Sequence, residues 1–260
     1  MNTVVLTGAA GTIGSTLREA WRARFPRVRL VDVRDPGGQG KGEETRVLDL
    51  ADFQAARRAI EGADAVVHLA AIPDEDRFDR LLEANVAVTY NVFEASRQAG
   101  VRRVVFASTN HVTGFYARSE RIGPDHPIRP DSLYGVTKVF GEALGRLYAD
   151  KWELEVVCLR IGSFRDRSPD ADGLPMWLSP DDAVQLFTRA LLATDIPRFL
   201  VVYGVSKVPD SWWENPGAAV LGYEPADEVD PEVRRALAAE EPSSGFQGGL
   251  FARRDYWIEP

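Results

Sequence analysis

The chain has 260 residues, a formal net charge of −8 and a single cysteine, Cys158. That length suits one large domain, or one domain with a small appendage, and supplies ample material for a core. An acidic balance without a polybasic run excludes nucleic-acid binding, one cysteine excludes an internal disulfide or a Cys-rich metal site, and no apolar run reaches the roughly 18 residues that span a membrane. Residues 1–7 lack the basic flank and apolar stretch of a signal peptide, so a cytoplasmic location is expected.

Apolar β-rich runs alternate with helix-period segments. Residues 4–7 read as a first strand and 12–24 as a helix with Ile13, Leu17, Ala20 and Trp21 on one face. A second strand over 28–33 precedes a glycine-rich loop over 35–44, then a short third strand over 47–50. Residues 52–61 read as a helix capped by Asp52, 65–70 as a buried strand, and 77–98 as one long helix. A strand over 103–107, a long helix over 133–150 and a strand over 155–160 follow. Ser179 before Pro180 marks another helix start, 199–205 a late strand, and 211–221 a short helix carrying Trp212 and Trp213. Strands alternating with such helices predict an α/β fold, a Rossmann-type doubly wound parallel sheet with ligands at its carboxyl edge. Residues 1–163 are expected to form the dinucleotide-binding core. Residues 164–260 are expected to form a small substrate-capping region and tail, packed on the core as one structural unit.

Gly8, Gly11 and Gly14 follow the first strand three apart, enclosing Thr12 and Ile13. Chemistry needs glycine there because the backbone must approach a pyrophosphate seated on a helix N-terminus, and Gly14 lets that helix pack on the strand. Asp32 lies 18 residues beyond Gly14, where a carboxylate accepts hydrogen bonds from ribose hydroxyls and repels a 2′-phosphate. NAD is therefore expected over NADP, although Arg34 argues the other way. Asp49 and Leu50 stand at a strand end from which a carboxylate reaches the adenine amine, or form a simple turn there. Leu69, Ala70 and Ala71 end the fourth strand with small residues that let a cofactor lie against the backbone, and Ile161 is grouped with them.

Tyr134 and Lys138 share one helix face at a spacing of four. A phenol with a pKa near ~10 is too weakly acidic to serve as a base at neutral pH. A nearby ammonium and a positive nicotinamide ring would favour the phenolate. Thr109, 25 residues before Tyr134, brings a hydroxyl for the reacting oxygen.

The glycine triplet, Asp32, Thr109 and Tyr134-x-x-x-Lys138 together resemble the extended short-chain dehydrogenase/reductase superfamily (the NAD-dependent epimerase/dehydratase family), and Asn85 matches that group's asparagine, which shapes the helix beside the active site and is expected among the cofactor-binding residues. More narrowly, Thr109-Asn110-His111, Arg160-Ile161-Gly162-Ser163, Trp177-Leu178-Ser179, Trp212-Trp213 and Gln247-Gly248-Gly249 resemble bacterial uronate dehydrogenases, over essentially the whole chain. The resemblance implies oxidation of the anomeric carbon of galacturonate or glucuronate by NAD, giving an aldarolactone. It implies that Tyr134 takes the hydroxyl proton, that Thr109 (usually Ser in the family) holds the same oxygen, and that Lys138 bonds the nicotinamide ribose. Asn110, His111 and Ser163 would line the sugar pocket, and His68 reads as structural.

Two positions depart from that pattern. A substrate-contacting serine after the fourth strand is Pro73 here, and the arginine that pairs with the uronate carboxylate is Asp172. Arg165 and Arg167, in the same loop, are the remaining candidates for an anion, carboxylate or phosphate; a solvated loop is the alternative. A 1-dehydrogenase of glucose 6-phosphate or of a neutral aldose therefore stays open. A nucleotide-sugar epimerase or dehydratase is less favoured because few residues follow Lys138, and a non-catalytic NAD-sensing regulator because the Tyr–Lys pair is kept. No metal, nucleic-acid or membrane partner is expected; a homo-oligomer is.

Overall fold

Three strands are buried along their whole length: β1 (Thr3–Thr7), β4 (Ala65–His68) and β5 (Arg103–Thr109). Near-continuous burial is what helices covering both faces of a parallel sheet impose. In the computed structural model, which describes residues 1–166, 170–209 and 211–258, these strands join β2 (Arg27–Asp32), β3 (Glu43–Val47), β6 (Glu155–Ile161) and β9 (Phe199–Gly204). All pair in parallel, in the order β3-β2-β1-β4-β5-β6-β9. The chain reverses its direction of winding between β1 and β4, which opens a crevice at their carboxyl ends.

Each face of the sheet has its own core. On one side Leu6, Val105 and Leu159 pack with α1 (Thr12–Trp21) and α6 (Pro180–Leu192) through Leu17, Trp21, Leu186 and Phe187. On the other, Val5, Val66 and Val104 pack with α2 (Phe53–Ile60), α4 (Val88–Gln98) and α5 (Leu133–Trp152) through Ile60, Phe93 and Tyr148. Each large apolar side chain so buried contributes about 1.5–3 kcal/mol. Two of these helices start as the residue pattern dictates, with Asp52 accepting from Gln54 N–H and Ser179 from Asp182 N–H.

Four expectations need correction. The third strand runs over Glu43–Val47, not 47–50, so it begins inside the predicted loop. It is hard to see because it is polar: Glu43 pairs with Arg18 and Arg22, and Glu44 with Arg29 and Arg46. The helix over 77–98 is not continuous. It comprises α3 (Phe78–Leu81), a π-helical segment (Leu82–Ala87) and α4. The first helix stops at Trp21 rather than 24. Residues 211–215 are not helical. A helix begins only at α7 (Pro216–Leu221), while Trp213 stacks on Tyr203 with ring centroids 4.5 Å apart and bridges to Ile122. Short β7 (Ser163–Phe164), β8 (Trp177–Leu178) and α8 (Pro231–Leu237) carry no signal strong enough to be predicted. Among the described residues no helix is long and apolar enough to cross a membrane.

Candidate active site

A cleft of about 660 Å³ opens along the carboxyl ends of β1, β2, β4, β5 and β6, a volume suited to an organic cofactor. At its floor, Gly8 has φ of +69°, and a Cβ there would lie 2.8 Å from the backbone of Ala70. A Cβ on Gly14 would lie 2.3 Å from the Gly8 carbonyl oxygen. Glycine is thus required at both points by close approach of backbone to backbone. Gly11 precedes α1 without a side-chain cap and the first turn holds no acid, which leaves the helix N-terminus open to an anion. Thr12 and Ile13 line the same wall.

Asp32 ends β2 at the cleft edge. Its Oδ2 accepts Ala10 N–H at 2.9 Å and its Oδ1 accepts Arg34 N–H at 3.0 Å, so the carboxylate is held in place. The Arg34 side chain is 70% exposed and its Nε lies 3.9 Å from that carboxylate. Asp49 and Leu50 line the far end, beyond β3, where Asp49 Oδ1 accepts Ala51 N–H. Leu69, Ala70, Ala71 and Ile161 form the inner walls. Asn85 is not among the lining residues. It is buried behind them: its Oδ1 accepts Ile72 N–H, and its Nδ2 donates to the Ile72 carbonyl and Thr137 Oγ1. Asn85 therefore ties the loop after β4 to α5 and is corrected from cofactor contact to wall support. Asn85 belongs to the π-helical segment Leu82–Ala87.

Tyr134, Lys138 and Thr109 converge on the same cleft. Ser132 Oγ caps α5 by accepting Gly135 N–H. Glu75, which nothing in the residue pattern marks, accepts Leu133 N–H at 3.2 Å and Tyr134 N–H at 2.9 Å. Lys138 Nζ donates to the Ala107 carbonyl at 2.9 Å and lies 5.7 Å from the Tyr134 ring centre. Burial pulls Lys138 down to about 7. Burial pushes the Tyr134 phenol above its ordinary value; the Thr109 hydroxyl acts against this, and Asp74 and Asp131 add to it. His68 is buried between Thr7 and Thr89, and burial, with Lys138 nearby, lowers it to about 3.

A second chamber of about 390 Å³ adjoins the first, and Asn110 and His111 line both. Asn110 Nδ2 is buried without a protein partner, a donor left for a ligand. Ser163 and Arg165 line the outer chamber, with Arg165 Nε donating to Ser163 Oγ at 3.1 Å and its guanidinium 3.0 Å from Asp170. Asp172, Glu240 and Glu241 line it too. Asp172 accepts Ser243 N–H and faces Arg118 at 3.4 Å. Pro73 lines the inner cleft. Arg167 lies outside the described residues. The tail supplies a wall through Gly248, Leu250 and Phe251. Phe251 stacks on His111 with centroids 3.9 Å apart.

Residues 4–165 match the model of the NAD dependent epimerase/dehydratase family. The chain belongs to that family. A uronate dehydrogenase of Pseudomonas putida is 40% identical to it, with 96% of each chain covered. An L-arabinose 1-dehydrogenase (NAD(P)(+)) of Haloferax volcanii is 37% identical, covering 87% of this chain and 97% of its own. A mutant uronate dehydrogenase from Agrobacterium tumefaciens complexed with NAD has a similar structure, with a TM-score of 0.92 at 36% identity over 100% of both chains.

Proposed function

We propose that this protein oxidises the C1 hydroxyl of a uronic acid, galacturonate or glucuronate, to the aldarolactone with NAD. The observation that carries this reading is the junction of the two chambers, where Tyr134, Thr109 and Lys138 meet Asn110 and His111. One chamber fits a dinucleotide and the other a monosaccharide. Similarity to uronate dehydrogenases over nearly the whole chain supports it.

NAD fits the residues present: the glycine floor, the open N-terminus of α1 and the anchored Asp32 carboxylate suit its pyrophosphate and adenosine ribose. When bound, NAD accepts the hydride that leaves C1. The Tyr134 phenolate takes the proton of the C1 hydroxyl, and Thr109 Oγ1 donates to the same oxygen. A positive charge on Lys138 favours the phenolate and so offsets the upward push of burial. Asn110 Nδ2 and His111 hold the sugar, and Arg165, beside Ser163, meets the carboxylate. In this reading residues 1–163 hold the cofactor and 164–260 cap the substrate. A homo-oligomer is supported by exposed Leu82, Tyr90, Val136 and Leu147, and a cytoplasmic location by the lone buried Cys158.

A second reading, a neutral aldose, is favoured by one observation: among the described residues that line the outer chamber, four acids, Asp170, Asp172, Glu240 and Glu241, stand with one arginine, Arg165. The test is NADH formation across uronates, neutral aldoses and sugar phosphates. Turnover of uronates above the rest is expected; turnover of neutral aldoses alone selects the second reading, and no turnover of any sugar sinks both.

A further inference from the structure

His111 is fixed by more than its stack on Phe251. Its Nδ1 lies 2.8 Å from Asp131 Oδ2, and the Asp131 side chain is fully buried. The other carboxylate oxygen, Oδ1, accepts from Ser132 Oγ at 2.9 Å, while that hydroxyl itself accepts Gly135 N–H at 3.0 Å. An ionised carboxylate only accepts, so Nδ1 must carry the proton. Nε2 is then the ring nitrogen left for a ligand, on a ring that borders both chambers.

The carboxylate is sealed from two sides. A Cβ at Gly114 would lie 1.7 Å from Asp131 Oδ2, and one at Gly248 would lie 1.8 Å from the same oxygen. Gly114 closes the turn after His111, and Gly248 belongs to the tail that walls the outer chamber. The backbone adds a further tie, with Asp131 N–H donating to the His111 carbonyl at 3.3 Å. Asp131 and Ser132 thus connect the cap of the helix bearing Tyr134 to the ring of His111.

We propose that Asp131 is a positioning residue that locks His111 as the Nδ1–H tautomer, so that Nε2 accepts a hydrogen bond from a substrate hydroxyl. This rests on the sugar-oxidation reading. The ring lies edge-on to Tyr134, centroids 5.9 Å apart, so the hydroxyl selected is one near the reacting carbon. A sugar lacking that hydroxyl leaves the lone pair unpaired, and discrimination against deoxy analogues follows.

Asp131→Asn is the informative variant. The amide orientation that keeps the Ser132 Oγ–H donation puts the amide oxygen in the Oδ1 place. The amide NH₂ then faces Nδ1, which forces the proton to Nε2. Three readouts test this: the His111 tautomer by ¹⁵N NMR of the protein without substrate, thermal stability, and steady-state kinetics in wild-type and His111→Ala backgrounds. The expected result is an Nδ1–H signal in the wild type that moves to Nε2–H in Asp131→Asn with the fold intact. KM for the sugar rises about tenfold, the loss of one hydrogen bond, and Asp131→Asn adds little to His111→Ala. An Nε2–H wild type overturns the proposal, as does an equal loss from Asp131→Asn in both backgrounds, which marks a merely structural role. The tautomer is read without turnover, so a wild type inert toward every sugar overturns the functional reading and not the assignment of the imidazole.

Discussion

Lys138 Nζ donates to the carbonyl of Ala107 near the end of β5, so the ammonium of the Tyr134–Lys138 pair is pinned to the sheet rather than free to follow solvent. Its burial has a pH signature. The folded protein releases the Lys138 proton at about 7, while the unfolded chain holds it to the ordinary value of 10.5. Between those limits the unfolded state binds more protons, so stability rises with pH, by up to about 1.4 kcal/mol per unit. Urea denaturation across that window is expected to show the rise in the wild type and not in Lys138→Met. Parallel curves for the two proteins would show that the ammonium is solvated.

Removing the phenol oxygen isolates the proton-transfer step. Tyr134→Phe keeps the ring that packs edge-on to His111 and touches no residue of the glycine floor. Sugar oxidation is expected to fall about 10³-fold, with the NAD dissociation constant unchanged in a fluorescence titration. Near-normal turnover would remove Tyr134 from the mechanism.

Asp32→Ala removes the acceptor for ribose hydroxyls and the repulsion of a 2′-phosphate. KM for NAD is expected to rise about tenfold, the loss of a charge-assisted hydrogen bond. The NAD:NADP ratio of kcat/KM is expected to fall, helped by Arg34 nearby. Equal use of both cofactors by the wild type would contradict the role of this carboxylate.

Arg165→Ala separates the two substrate readings. If Arg165 meets a carboxylate, KM for a uronate rises while kinetics on a neutral aldose stay as they were. An unchanged KM for the uronate places its carboxylate elsewhere.

Glu43 answers for the β2–β3 edge. It accepts from Arg18 at 2.7 and 3.0 Å and from Arg22 at 2.9 Å, with its own side chain 1% exposed. The Arg18 hydrogen bond leads in holding its carboxyl down at about 2, against an ordinary 4.5. Its contribution is therefore complete above 4.5 and is lost as pH falls toward 2. Glu43→Ala, which takes the counter-charge from the buried Arg18 and leaves it only the carbonyls of Pro36, Gly37 and Gly38, is expected to cost about 3 kcal/mol at neutral pH, measured by chemical denaturation, with a shallower acid limb.

Residue pattern alone revealed the parts of this molecule that obey a strong period or a local rule. The central strands are unbroken apolar runs, and Gly8, Gly11 and Gly14 sit where backbone must touch backbone, so both were legible. What escaped depends on distant partners. β3 is a strand because its charged side chains pair across the sheet edge and into α1, which no window of residues 43–47 can show. Asn85 matched a family position, but its partners are the backbone of Ile72 and the hydroxyl of Thr137, 13 and 52 residues away. Asp131, Glu75 and Phe251 reach the site from a loop, a strand-end turn and the tail; each looks ordinary in isolation. Asp172 is the instructive case. Its position signalled a departure, and the structure adds that it is one acid of several around the outer chamber.

The polar character of β3 bears on how the molecule avoids its own kind. As an outermost strand of a parallel sheet, β3 has one row of backbone groups with no strand beside it among the described residues. A hydrophobic sequence there would invite a second chain to add itself edge to edge. Glu43, Glu44 and Arg46 make that addition costly, because a newcomer would have to bury or displace charges already satisfied by arginines of the same molecule. The opposite outer strand, β9, is apolar and is guarded differently: α7 packs on it, with a Cβ at Gly217 standing 2.8 Å from the Val201 carbonyl oxygen. One border is protected by charge and the other by a helix at close range, and engineering that neutralises β3 would expose the chain to aggregation before it touched catalysis.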